Sequence, residues 1–148
     1  MRVIIQRVSK ANVSIENVLR SSIDKGYVVL FGFEEEESPE DFAFIIKKLL
    51  NLRLFNDSEG KMNWSIQDVK GDLLMISQFT LFAQTKKGNR PSFIKSASYD
   101  QALTYQEEFF KMLSMEYDFQ TGEFGADMKV ELINDGPVTI SLDSKNKE

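Results

Sequence analysis

The chain has 148 residues, a formal net charge of −5, and neither cysteine nor histidine. That length fits one domain, and 12 Phe, 4 Tyr and 1 Trp supply enough large side chains for a core, which excludes disorder over most of the chain. Without Cys or His there is no disulfide framework, no thiol nucleophile, no cysteine or HExxH zinc site and no Ser-His-Asp or Cys-His machinery. Any catalysis must run through carboxylates, hydroxyls, Lys or Arg, backbone amides or the substrate's own groups.

The N-terminal stretch holds only three apolar residues between Arg2 and Gln6, too few for a signal-peptide core. No run of about 18 apolar residues occurs, so no membrane span is expected, and a cytoplasmic protein is the simplest reading. Val3 to Val8 is rich in β-formers, with Arg7 among them. A cation there sits at an edge in solvent or is pinned to a specific acceptor. Ala11, Val13 and Ile15 alternate with polar residues, as a half-buried strand does. Glu16-Asn17 reads as a turn and Val18 to Asp24 as the return strand. Val28 to Phe31 is a continuous apolar run, which predicts a strand buried on both faces.

A helix is predicted after Ser38, a good N-cap, with Pro39 at the first helical position. Phe42, Ile45, Ile46, Leu49 and Leu50 then form one apolar stripe. Glu40 and Asp41 fall in its first turn, where the helix dipole favours acids. Asn56 to Gly60 is a turn cluster, and Leu73 to Ile76 a short buried strand. A second helix starts near Ser98, with Gln101 completing a capping box. Ala102, Tyr105, Phe109, Met112 and Leu113 give it an apolar face. Alternation at Met128, Val130 and Leu132, and again at Val138, Ile140 and Leu142, predicts two closing strands.

The expected architecture is α/β: strands in two layers, mixed or antiparallel, with two main helices covering one side. No linker divides the chain. A single domain over 1–143 and a frayed polar tail over 144–148 are expected.

Two places break the pattern. Ser77-Gln78-Phe79-Thr80 ends a buried apolar strand with hydrogen-bonding side chains. Either they floor a cavity or they satisfy local backbone at a strand-to-loop junction. Asn134-Asp135-Gly136-Pro137 interrupts the closing strands. Pro removes a ladder donor, so this is an edge, a bulge or a turn. Either Gly136 lets a ligand approach the main chain, or the segment is a plain hairpin turn.

Charge is uneven. Residues 34–41 carry six acids and no base, whereas residues 85–95 carry Lys86, Lys87, Arg90 and Lys95 and no acid. The second stretch is either a solvated loop or a patch for a polyanion. Asp127, Glu131 and Asp135 are four apart on an expected strand, about 13–14 Å per step, which is too far for a shared ion. No metal and no cofactor are expected.

At these motifs the sequence resembles the D-aminoacyl-tRNA deacylases, of bacterial type, over nearly its whole length. The resemblance rests on Ile5-Gln6-Arg7-Val8, Glu59-Gly60-Lys61-Met62-Asn63, Ser77-Gln78-Phe79-Thr80-Leu81, Lys87-Gly88-Asn89-Arg90-Pro91-Ser92-Phe93, Gly125-Ala126-Asp127-Met128 and Asn134-Asp135-Gly136-Pro137-Val138-Thr139, in order. It implies a homodimer of one helical and two sheet layers. It implies hydrolysis of the ester joining a D-amino acid to the tRNA 3′ end, and action on glycyl-tRNA mischarged on tRNA(Ala). Carried over, Gly136 and Pro137 are a Gly-cisPro pair that each subunit inserts into its partner's pocket. Ser77, Gln78, Phe79 and Thr80 are the pocket residues at the scissile ester, and Arg7 resembles the residue that orients the pair.

A chain without His suits such chemistry. Backbone N–H groups near Phe79 and Thr80 are expected to stabilise the oxyanion, and the ribose 2′-OH to assist water. Lys86, Lys87, Arg90 and Lys95 are expected to meet acceptor-stem phosphates; neither membrane nor DNA is an expected partner. Three rivals stand beside this reading: a related editing enzyme with a trans Gly-Pro acting on a small L-amino acid, a non-catalytic nucleic-acid-binding module, and a small-ligand or protein-interaction domain.

Overall fold

The computed structural model of the chain describes residues 1–147. Its elements run β1 (Arg2–Ile15), β2 (Val18–Ile23), β3 (Gly26–Gly32), α1 (Pro39–Asn51), β4 (Phe55–Asn56), β5 (Met62–Trp64), β6 (Asp72–Ser77), a 3-10 turn (Phe79–Phe82), α2 (Tyr99–Ser114), β7 (Gln120–Thr121) and β8 (Lys129–Asp143). A mixed sheet has the order β2-β1-β3-β6-β7, with β8 also paired to β1, and β4 and β5 form a separate hairpin. The pairs β3–β6 and β6–β7 are parallel; β1 is antiparallel to each of its neighbours.

The two expected strand layers are one continuous sheet that bends. Residues Arg2 to Val8 of β1 pair with β3, and Ala11 to Ile15 pair with β2. β8 accompanies both halves, with its register shifting between Val8 and Lys10. A shift of that kind bends a strand and raises its twist. One strand thereby serves two layers, which is why Val3–Val8 and Ala11–Ile15 read as separate strands in sequence.

Alternation then divides the core. Val3, Ile5, Tyr27, Val29, Phe31, Leu73 and Met75 face the helices, whereas Val8, Val28, Leu74 and Ile76 face the curled-over half of the sheet with Val13 and Ile23. Both faces of β3 and β6 are covered, so their sequences are unbroken apolar runs. The order helices, sheet, curled sheet matches the expected α/β/β layering.

The helices follow their signals. All five stripe residues of α1 are buried. Its N-terminus carries a full capping box, in which the Ser38 N–H donates to Asp41 Oδ2 at 3.0 Å. Asp41 therefore does more than answer the helix dipole. The capping box of α2 joins Ser98 to Gln101 as expected.

Two expectations are corrected. The two closing strands expected are one strand, β8, and of the edge, bulge or turn left open for Asn134 to Pro137 the structure shows a bulge within it. Ser144, expected to open a frayed tail, is buried: its N–H donates to Met1 O at 2.9 Å and its Oγ accepts from the Met1 amine at 2.9 Å. Glu37 of the acidic run pairs with the same amine at 2.6 Å, so that run is partly structural. Among the described residues no helix is long and apolar enough to cross a membrane.

Candidate active site

Because β3 and β6 are parallel, their C-terminal ends open at the same edge of the sheet, where α/β folds place clefts. A cavity of about 510 Å³ lies there, floored by Gly32, Ile76, Ser77 and Gln78 and walled by Phe79, Tyr99 and Phe124 to Ala126. Ser77 is the last paired residue of β6, opposite Phe31. The Gln78 N–H donates to Phe31 O at 2.6 Å, and the chain then leaves the sheet. Gly32 is needed beside it: a Cβ there would stand 2.7 Å from Gln78 O.

The 3-10 turn begins at once, with the Leu81 N–H donating to Gln78 O at 3.2 Å. Such a turn leaves its first N–H groups, those of Phe79 and Thr80, without an acceptor inside the turn. Thr80 is exposed, and its Oγ1 accepts a hydrogen bond from Gln78 Nε2. Phe79 is 56% exposed and packs edge-on against Phe93, with ring centroids 5.1 Å apart. Ser96 Oγ donates to Phe79 O at 3.1 Å and fixes the turn from outside.

The opposite wall comes from the first residue of α2 and the loop between β7 and β8. Tyr99 and Phe124 meet edge-to-face at 5.0 Å. Gly125 has φ +76°, and a Cβ there would lie 3.0 Å from the Tyr99 ring. Sequence reading gave Gly32, Tyr99 and Phe124 no role; they join the site from three separate elements, and no periodicity marks them. The Gly125-Ala126 motif was visible, without its function as a wall. Among the described residues the lining holds amide, hydroxyl and backbone groups but no carboxylate, amine or guanidinium. Asp127 points its charge elsewhere, to Lys129 Nζ at 3.1 Å, and no acidic cluster among the described residues fits a metal ion.

Arg7 and Gly136-Pro137 form a second assembly. Gln6 pairs with Thr139 and Val8 with Asn134, so Arg7 alone faces the four residues Asp135 to Val138. Arg7 is 6% exposed. Its Nε donates to Asp135 O at 2.8 Å and its Nη1 to Leu54 O at 2.5 Å. The cation is thus pinned to acceptors rather than left at a solvated edge. Beside it, burial pushes the Tyr27 phenol far above its ordinary value, against the pull of the Arg7 charge. Gly136 and Pro137 are exposed, their peptide bond is cis, and Gly136 has φ +135°.

These two assemblies do not meet within one chain. Arg7 is level with Tyr27, and Tyr27 with Leu73, whereas Ser77 is level with Phe31. Four residues along the strands separate the levels by about 13 Å, and the bulge lies on β8, beyond β1 and β3.

The cations are rooted at the pocket rim. A backbone pair between Gln84 and Ser92, at 2.8 and 3.0 Å, closes a loop bearing Lys86, Lys87 and Arg90, all exposed. Lys95, also exposed, follows Phe93, which packs on Phe79.

The family described as D-Tyr-tRNA(Tyr) deacylase matches residues 4–143. The chain belongs to that family. It is 53% identical to the D-aminoacyl-tRNA deacylase of Azobacteroides pseudotrichonymphae genomovar. CFP2 and 55% identical to that of Bacteroides fragilis (strain YCH46), each over 100% of both chains. Among solved structures, the c-Myc DNA Unwinding Element Binding Protein superposes with a TM-score of 0.91 at 37% identity, over 97% of this chain and 98% of that one. A probable eukaryotic D-amino acid tRNA deacylase superposes at 0.78 and 16% identity, over 95% and 97%, a likeness of fold. The family match spans both assemblies, the pocket strand and the bulge of β8.

Proposed function

We propose that this chain hydrolyses the ester of D-aminoacyl-tRNA, releasing the D-amino acid and free tRNA, and that it also clears glycyl-tRNA mischarged on tRNA(Ala). The observation that carries the reading is a pocket whose described lining offers the Ser77 hydroxyl and the Gln78 amide, set beside family membership over 4–143. The water oxygen bonds to the carbonyl carbon, the bond to ribose O3′ breaks, and O3′ takes a proton. Phe79 and Thr80 N–H groups receive the developing oxyanion, where fixed donors act without reorganisation. The 2′-OH of the substrate assists the water.

Selectivity requires a second copy of the chain. The pocket of one protomer receives Gly136 and Pro137 of its partner, whose backbone stands against one side of the α-carbon. A hydrogen passes there and a side chain does not, so D-amino acids and glycine are accepted. Two features support a homodimer: the bulge is exposed and remote from its own pocket, and among the described residues β8 pairs with β1 alone, an edge open to another chain.

Complementation tests the shared site. A Gly136→Ala chain and an Ala126→Trp chain, whose indole fills the cavity that Ala126 lines, are each expected to lose nearly all activity on this reading. Unfolded and refolded together, they form mixed dimers with one intact site, and about a quarter of wild-type activity returns. No recovery, with mixed dimers present, contradicts it.

Among the described residues the side-chain partner of Thr80 Oγ1 is the Gln78 amide, which is no base, so this reading gives the nucleophilic role to water. Thr80→Ala is expected to keep turnover within about threefold of wild type, since the backbone donors remain. Loss of turnover with unchanged substrate binding makes Thr80 the nucleophile instead. The cationic loop meets acceptor-stem phosphates. Changing Lys86 and Lys87 to Gln should weaken tRNA binding and flatten the slope of log K against log salt by about 1.5. An unchanged slope removes the loop from the interface.

A further inference from the structure

We propose that Asn134 is a positioning residue for chiral selection, acting as a clamp across the neck of the Asp135–Val138 bulge. The inference rests on the reading that Gly136 and Pro137 form the selective wall. Between Asn134 and Thr139, β8 leaves its ladder with β1, so the Val138 N–H has lost its register partner. A backbone donor so placed needs a substitute acceptor. Asn134 Oδ1 supplies it, accepting from the Val138 N–H at 2.8 Å. The other end of the same amide completes the closure: Asn134 Nδ2 donates to Thr139 Oγ1 at 3.0 Å. One side chain thus ties the two residues that re-enter the strand to the residue that left it.

The near limb of the bulge is held separately, by Arg7 Nε on Asp135 O at 2.8 Å. With both limbs fixed, Gly136 and Pro137 are held exposed between them. The amide geometry explains the residue type. Both an acceptor and a second polar atom are needed on one short planar group, with reach to the main chain a few residues on. Asp meets the same need, since its second oxygen accepts from the Thr139 hydroxyl. Ala and Leu do not.

The test compares Asn134→Ala with Asn134→Asp, using D-tyrosyl- and L-tyrosyl-tRNA as paired substrates and thermal unfolding as the structural control. A purely structural role lowers the unfolding midpoint and leaves the D/L ratio of kcat/KM alone. The clamp predicts that Asn134→Ala lowers that ratio by about tenfold, the loss of one well-placed hydrogen bond, while Asn134→Asp restores it. An unaltered ratio in Asn134→Ala overturns the proposal. Should that variant fail to fold, Thr139→Val and Thr139→Ser decide. Valine keeps the shape and loses the Oγ1 acceptor, so it should lower the ratio, and serine should not; equal ratios overturn the clamp. If the wild-type chain itself fails to discriminate, the underlying reading falls before the clamp is tested.

Discussion

Gly136→Ala is expected to lower kcat/KM for D-tyrosyl-tRNA by about a hundredfold, the scale of an ångström-sized misplacement in an active site. The single added methyl group meets a crowded position. It would stand 2.8 Å from Arg7 Nη2 and 2.8 Å from Val138 Cγ2, with Val138 N at 3.2 Å. Arg7 Nη2 belongs to a side chain that elsewhere could swing aside. Here its Nε and Nη1 are committed to Asp135 O and Leu54 O, so it cannot yield without giving up a hydrogen bond. The backbone also resists, because φ +135° is a conformation that side-chain-bearing residues rarely adopt. The bulge must therefore move. Gly136 is exposed and outside both cores, so the fold should survive with a loss of about 1–3 kcal/mol. Steady-state kinetics with circular dichroism separates the two effects. Near-wild-type kcat/KM in a folded Gly136→Ala protein contradicts the role given to this bulge.

Arg7→Ala carries the second large effect, and it falls on stability and selectivity together. Removing the guanidinium strips two carbonyl acceptors of a charged donor, one of them at a fully buried bond. Each such loss costs about 1–3 kcal/mol, so a destabilisation of about 3 kcal/mol is expected by denaturant titration. Arg7→Lys does not repair it, since one ammonium cannot reproduce two donors in a fixed fork. The released Asp135 carbonyl lets the near limb of the bulge drift, and the D/L ratio falls or activity is lost. Pro137→Ala should act in the same direction, because the ring that fixes φ is gone. Full D-selectivity retained in folded Arg7→Lys and Pro137→Ala proteins overturns the backbone wall.

Local order was legible in the sequence. The Ser38 and Ser98 caps and the Phe42 to Leu50 stripe are signals carried within four or eight residues, and tertiary contacts reinforce them. The unbroken run from Val28 to Phe31 correctly marked a strand covered on both faces. Continuity was not legible. β1 and β8 each read as two strands, because a strand that serves two layers loses its alternation where it bends. Asn134 to Pro137 has the composition of a hairpin turn, and its pairing with β1 on both sides, together with the hold of the distant Arg7 on Asp135 O, makes it a bulge instead. The candidate site divided the same way. Ser77 to Thr80 stood out as polar residues ending a buried strand. Gly32, Tyr99 and Phe124 did not, since their only common property is a place in space. The family resemblance named motifs in both assemblies, whereas register shows that the two do not meet in one chain.

The measurement that most directly tests the account is deacylation of paired D-tyrosyl- and L-tyrosyl-tRNA, with glycyl-tRNA as a third substrate and a chelator present. The account predicts turnover of the D-tyrosyl and glycyl esters, none of the L-tyrosyl ester, and no effect of the chelator. Turnover of the L-ester contradicts the wall and points to an editing enzyme of the other kind, and absence of all turnover with tRNA still bound leaves a nucleic-acid-binding module.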